Sequence, residues 1–255
     1  MPKLKLAVLL SAVAASGIAT AQTAAPAPAA AAAPEPDYTL AFNIGAVTDY
    51  RYRGISQSRL DPALQGGIDF THKSGFYIGT WASTIKWIKD AGGDDSAEID
   101  LYGGYKTTLA GIGIDVGALR YYYPSNALPV NADTTELYIA GSYGPGSLKW
   151  SHSVTNIFGF ANSSGSDYFD LSASFDLPWY GLTLAPHIGH QSIQNNSFFS
   201  YTDWSLTLGK DFGKGLSASL AYVDTNARTN PLAYPSPSGK DLGRAGLVAG
   251  IKYAF

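Results

Sequence analysis

Carboxylates recur through this chain at alternate positions of segments whose other positions are apolar: Asp69, Glu98, Asp100, Asp115, Glu136, Asp170, Asp176 and Asp203, with Lys106, Lys149 and His187 on the same parity. Side chains two apart on a strand point to one face, so these groups share a face. If the apolar faces meet lipid, the polar faces line a lumen in which acids outnumber bases. An acid-lined, water-filled bore lowers the energy of cations and repels anions, so a weak cation preference is expected. The other reading is that facing charges pair across a narrow bore and stiffen it. The residues leave both open.

A second charged group lies beyond the first apolar segment, where Asp49, Arg51 and Arg53 alternate with Tyr50 and Tyr52. If that strand continues in register, the charges point inward at the outer mouth and the tyrosines meet the lipid headgroups. Arginines opposite acids would set up a transverse field or form a salt-bridged loop anchor; the anchor is preferred. Tyr105, Tyr143, Trp150, Trp204, Tyr253 and Phe255 complete the expected aromatic girdle.

Enzyme chemistry has little to work with. His72 abuts a turn, His152 falls on an outward face, and His187 and His190 lie on opposite faces. His152 shares its face with Asn156, two members of the Ser, His and Asn set of an outer-membrane phospholipase, but no serine can be assigned as nucleophile within reach of the base. His, Asp and Glu show no metal-ligand spacing, and no Gly-rich phosphate loop follows a strand. No enzyme activity, metal or cofactor is expected.

The elements that must position these residues are strands. From Tyr38 on, segments of period two follow one another: Tyr38, Leu40, Phe42 and Ile44 on one face; later Ile99 and Leu101, then Leu137 and Ile139, then Phe169 and Leu171; at the end Leu247, Ala249, Ile251, Tyr253 and Phe255. Residues 76–87 carry aromatics on both faces and give no register. The connections alternate between tight turns, such as Lys73-Ser74-Gly75 and Gly144-Pro145-Gly146, and longer polar loops near 49–61, 88–96, 124–133, 156–166, 191–200 and 224–241. The count predicts an all-β, antiparallel, up-and-down transmembrane barrel of about 12 strands, with 10 or 14 following from a miscount, short periplasmic turns and longer extracellular loops.

Composition agrees with that class. Charged residues make up 15%, against about 25% in ordinary soluble domains, while the chain holds 28 Gly, 17 Tyr, 11 Phe and 5 Trp. The net charge of −3 argues against nucleic-acid binding, and zero cysteines exclude disulfides and a lipid-modified N-terminal Cys. Residues 1–21 read as a cleaved signal peptide with a basic start, a short apolar stretch and the site Ala19-Thr20-Ala21. Residues 22–37, rich in Ala and Pro, read as a disordered linker, and 38–255 as the barrel.

The blocks TDYRYRGISQS (Thr48 to Ser58), PALQGGIDF (Pro62 to Phe70) and SGFYIGTWAS (Ser74 to Ser83) resemble the N-terminal signature of the TorF porin family. That resemblance implies a small bacterial outer-membrane barrel and adds little about substrate. The chain end resembles the signal read by the barrel-insertion machinery: Gly250, Tyr253 and Phe255 match its glycine and aromatic positions, while Val248 stands where that signal usually has a polar residue.

The expected function is passive diffusion of small hydrophilic solutes through a narrow outer-membrane channel. The expected partners are outer-membrane lipid, the insertion machinery during assembly and the solutes themselves. A plugged structural or adhesive barrel and a lipid-active enzyme are the rivals. A channel of oligogalacturonate type would want arginine and lysine along its bore, which the acidic list disfavours.

Overall fold

The computed structural model describes residues 36–255. The expected signal peptide and most of the expected linker lie outside the described residues. Twelve antiparallel strands close into a barrel. In chain order they are β1 Tyr38–Val47, β2 Ala63–His72, β3 Phe76–Thr84, β4 Ala97–Leu109, β5 Ile112–Tyr122 and β6 Thr134–Tyr143. There follow β7 Gly146–Ser153, β8 Asp167–Ala173 (resumed at Phe175–Asp176 after Ser174), β9 Leu182–Ser192, β10 Tyr201–Gly213, β11 Leu216–Thr225 and β12 Gly246–Ala254.

Each strand pairs with its chain neighbours, and the ring closes where β12 meets β1, with Ala254 opposite Asn43 and Gly250 opposite Val47. Closure leaves no unpaired edge, the condition for backbone polar groups to sit in an apolar solvent. The terminal residue takes part, since Phe255 and Phe42 exchange backbone hydrogen bonds of 2.9 and 3.0 Å and their rings stack at 5.7 Å.

The period of two decides which face turns outward. Leu64, Ile78, Leu101, Ile139, Leu220 and Ile251 are exposed on the barrel exterior, whereas Glu98, Asp100, Glu136 and Asp203 on the opposite parity are buried. An apolar exterior of that extent needs an apolar environment to cover it.

Residues 76–84, whose register the sequence left open, form β3 with Tyr77 and Trp81 turned inward and Phe76 and Ile78 outward. Aromatics fit inside because glycines face them. A Cβ at Gly79 would come within 2.5 Å of the Tyr102 ring, and one at Gly117 within 2.5 Å of the Tyr138 hydroxyl. Without that Cβ the ring lies flat on the wall.

Candidate functional site

The inner wall carries two belts of charge. Toward the loop end stand Glu98 and Asp100 of β4, Glu136 of β6 and Asp203 of β10; toward the turn end stand Asp69, Lys106, Asp115, Lys149 and Asp170. His187 of β9 joins the two, with Nδ1 at 3.1 Å from Asp170 and Nε2 at 2.8 Å from Asp203. Asp176 lies exposed at the turn end.

Most of these groups are satisfied by neighbours. Asp69 accepts from the Tyr102 hydroxyl at 2.5 Å, and Asp115 from the Tyr77 hydroxyl at 2.6 Å with the Lys106 ammonium at 3.8 Å. Glu98 accepts from Tyr50 at 2.6 Å and Tyr123 at 2.9 Å. The lysines lie over ring faces, Lys106 at 4.2 Å from the Tyr77 centroid and Lys149 at 3.9 Å from that of Tyr138. Asp100 differs, because neither of its buried carboxylate oxygens has a hydrogen-bond partner.

The loop between β1 and β2 does not stand outside the barrel. It folds into the bore as a small hairpin, Arg51–Tyr52 paired with Ile55–Ser56. Arg53 and Gly54 at its tip both have positive φ, 47° and 79°, as a two-residue type I′ turn requires. For an arginine that conformation is unfavourable, by about 1–2 kcal/mol, so its contacts must hold it. Arg53 donates to Glu136 at 2.7 Å and to Gln191 at 2.5 Å, and its guanidinium lies 4.0 Å from the Tyr168 ring centroid. The tip therefore ties β6, β8 and β9 together. Gly54 fits because it lacks a side chain; a Cβ there would lie 2.4 Å from Thr225 Cγ2 and 2.8 Å from Asp203 Cβ.

The base of the hairpin is fixed equally well. Asp49 accepts from Arg51, Ser56 and Ser58, and Arg51 donates to the carbonyls of Gly54, Leu242 and Arg244 at 2.9, 3.1 and 3.0 Å. Apolar packing surrounds it: Tyr50, Trp81, Ile88, Leu119 and Tyr121 form one cluster, and Ile55, Tyr201, Ala227 and Leu242 another. At the outer margin, the hydrogen bond and charge of Lys86 hold the Asp61 carboxyl below its ordinary range.

One expectation is corrected here. Tyr50 and Tyr52 are not part of a lipid-facing girdle, because β1 stops at Val47 and the chain turns inward. Tyr50 is 1% exposed and meets Trp81 edge-on, while the Tyr52 hydroxyl meets that of Tyr121 at 2.5 Å. The buried carboxylate of Asp49 demands donors, and Ser56 and Ser58 beyond the hairpin turn supply them only when the chain doubles back. The signal that could have been read is Arg53-Gly54 between alternating residues, a turn dipeptide less familiar than Asn-Gly.

The other expected girdle residues lie on the exterior: Tyr105, Tyr143, Tyr253 and Phe255 are exposed toward the turn end, Trp150 is exposed toward the loop end, and Trp204 is half-buried. Gly250 faces inward beside Ser219. His152 Nδ1 contacts Asp167 at 2.8 Å, and the same oxygen accepts from the Trp150 indole at 2.8 Å. Asn156 instead accepts from the backbone of Ser163 and Ser164, so it does not join His152 in one constellation. Among the described residues no group of three or more His, Cys, Asp or Glu could hold a metal ion.

The described fold is similar to solved porins. The KdgM porin superposes with a TM-score of 0.53 at 8% identity, covering 84% of this chain and 99% of that one. NanC porin gives 0.54 at 12% identity, covering 85% and 99%. A second structure, the KdgM porin in complex with disordered oligogalacturonate, gives 0.53 at 7% identity with 84% and 99% covered. At these identities the likeness concerns the fold alone. No curated protein matches the chain in sequence. Residues 30–255 match the profile of the Gcw_chp family, described as a bacterial protein of unknown function, and the chain belongs to that family.

Proposed function

We propose that this protein is a narrow, porin-type channel of the bacterial outer membrane, passing small hydrophilic solutes with a weak preference for cations, and closed at its outer mouth by the loop of residues 48–62. The supporting observation is a gradient inside the barrel. The Arg53–Glu136 pair has side chains 5% and 3% exposed, whereas the Lys106–Asp115 pair nearer the turn end has 22% and 19%. A filled outer mouth over a wetter, charged vestibule supports a channel whose first loop limits passage.

Cation preference rests on how the charges are used. Lys106 and Lys149 are held against tyrosine rings and Arg53 against Glu136, while Asp100 has no partner. An oligogalacturonate, the polyanion named with one of the similar porins, would meet few free bases here. The N-terminal motif blocks support placing the chain beside the TorF porins. On this reading outer-membrane lipid covers the exterior, and the insertion machinery reads Gly250, Tyr253 and Phe255 during assembly.

The packing around Tyr50 favours a second reading, a permanently plugged barrel with a structural or adhesive role. Reconstitution into planar bilayers separates the two. The channel reading expects discrete conductance steps and a reversal potential displaced toward that of the cation. Strong anion selectivity would overturn the cation preference, and silence both from the pure folded protein and from a variant lacking residues 52–55 would overturn the channel.

A further inference from the structure

We infer that Asp100, on the inner wall of β4 toward the loop end, is a dwell site for a monovalent cation; the inference deepens the channel reading and rests on it. Asp100 is 1% exposed, and both of its oxygens are buried without a hydrogen-bond donor. Cross-strand, it stands between Trp81 of β3 and Tyr121 of β5. Transfer of an unpaired carboxylate from water costs several kcal/mol or more, so the site takes up whatever neutralises it, a proton or a cation, and the potassium dependence tested below separates the two.

The neighbouring side chains do not supply that neutralisation. Arg53, the cation of this layer, is committed to Glu136 and Gln191. Both oxygens of Glu98 accept tyrosine hydroxyls, so the tyrosine donors of this layer, Tyr50 and Tyr123, are spent on Glu98 and none reaches Asp100. The loop-end belt thus holds four buried carboxylates, Glu98, Asp100, Glu136 and Asp203, against the one guanidinium of Arg53, with His187 beside Asp203. Aromatic walls add their ring faces and hydroxyl oxygens, which also attract cations.

The chemistry chooses the class of ion. A resident divalent metal wants several converging carboxylates, and no such group of three exists among the described residues. One carboxylate with aromatic walls suits an alkali cation held weakly enough to leave, which conduction requires.

The test uses full-length folded protein in detergent and compares melting temperature in KCl with that in N-methylglucamine chloride at equal ionic strength. Wild type should melt higher in KCl, Asp100→Asn should lose that difference, and Asp69→Asn should keep it. In bilayers, Asp100→Asn should lower the K+/Cl− permeability ratio by about fivefold, the equivalent of ~1 kcal/mol. Thallium(I) difference density beside Asp100 in wild-type crystals would support the site without any variant.

Melting that ignores potassium in wild type, or a potassium effect that persists in Asp100→Asn, overturns the site even where conductance is intact. Silent bilayers with potassium stabilisation lost only in Asp100→Asn would sink the channel reading and leave the site standing.

Discussion

The loop end and the turn end of this bore are built from the same residue types and behave as different materials. At the loop end Arg53 and Glu136 meet at 2.7 Å in a setting closed by Tyr52, Tyr121 and Tyr168. At the turn end Lys106 and Asp115 stand 3.8 Å apart with a fifth of each side chain accessible. A pair removed from water interacts strongly and cannot lose one partner cheaply, whereas a wet pair is screened. The difference teaches that the Arg53–Glu136 pair of the outer belt holds structure, while the Lys106–Asp115 pair of the inner belt is open to water and solutes.

The largest effect should come from breaking the dry pair. Arg53→Ala leaves Glu136 buried and uncompensated, a loss of about 3–5 kcal/mol in hairpin docking. Trypsin should then cut after Arg51, whose side chain is buried in wild type, and conductance should rise. Next is Gly54→Ala, which forces a methyl into Thr225 and Asp203 and should cost about 1–3 kcal/mol by overpacking. The same cleavage assay reads it, with the cut appearing later than in Arg53→Ala.

Where the two belts meet, His187→Gln removes the group between Asp170 and Asp203. Reversal potentials should move further toward the cation while trypsin resistance stays unchanged, which sharpens the separation of the two regions. The smallest effect is expected from Lys86→Ala, since its partner Asp61 is half-exposed and solvent screens the pair. Differential scanning calorimetry should resolve no change in melting temperature.

Much of the barrel was legible because lipid enforces the period of two. Leu137 and Ile139 alternate with Glu136 and Tyr138, and one slip would drive Glu136 into lipid, so the face follows from the residues themselves. Asp49 to Arg53 alternate just as well, yet belong to a hairpin that turns inward. Local periodicity cannot distinguish a strand that continues from one that doubles back. Tyr77 and Trp81 were unreadable for a different reason: their places depend on glycines of neighbouring strands, a property of register between segments. The lone standing of Asp100 likewise emerges only once Tyr50, Tyr123 and Arg53 are seen to donate to Glu98 and Glu136 instead.

Single-channel recording of wild type against a variant lacking residues 52–55 tests the central claim most directly. Small or infrequent cation-preferring steps from wild type and larger, frequent steps from the variant are predicted. Wild-type steps already as large as those of the variant would contradict a bore closed by its first loop.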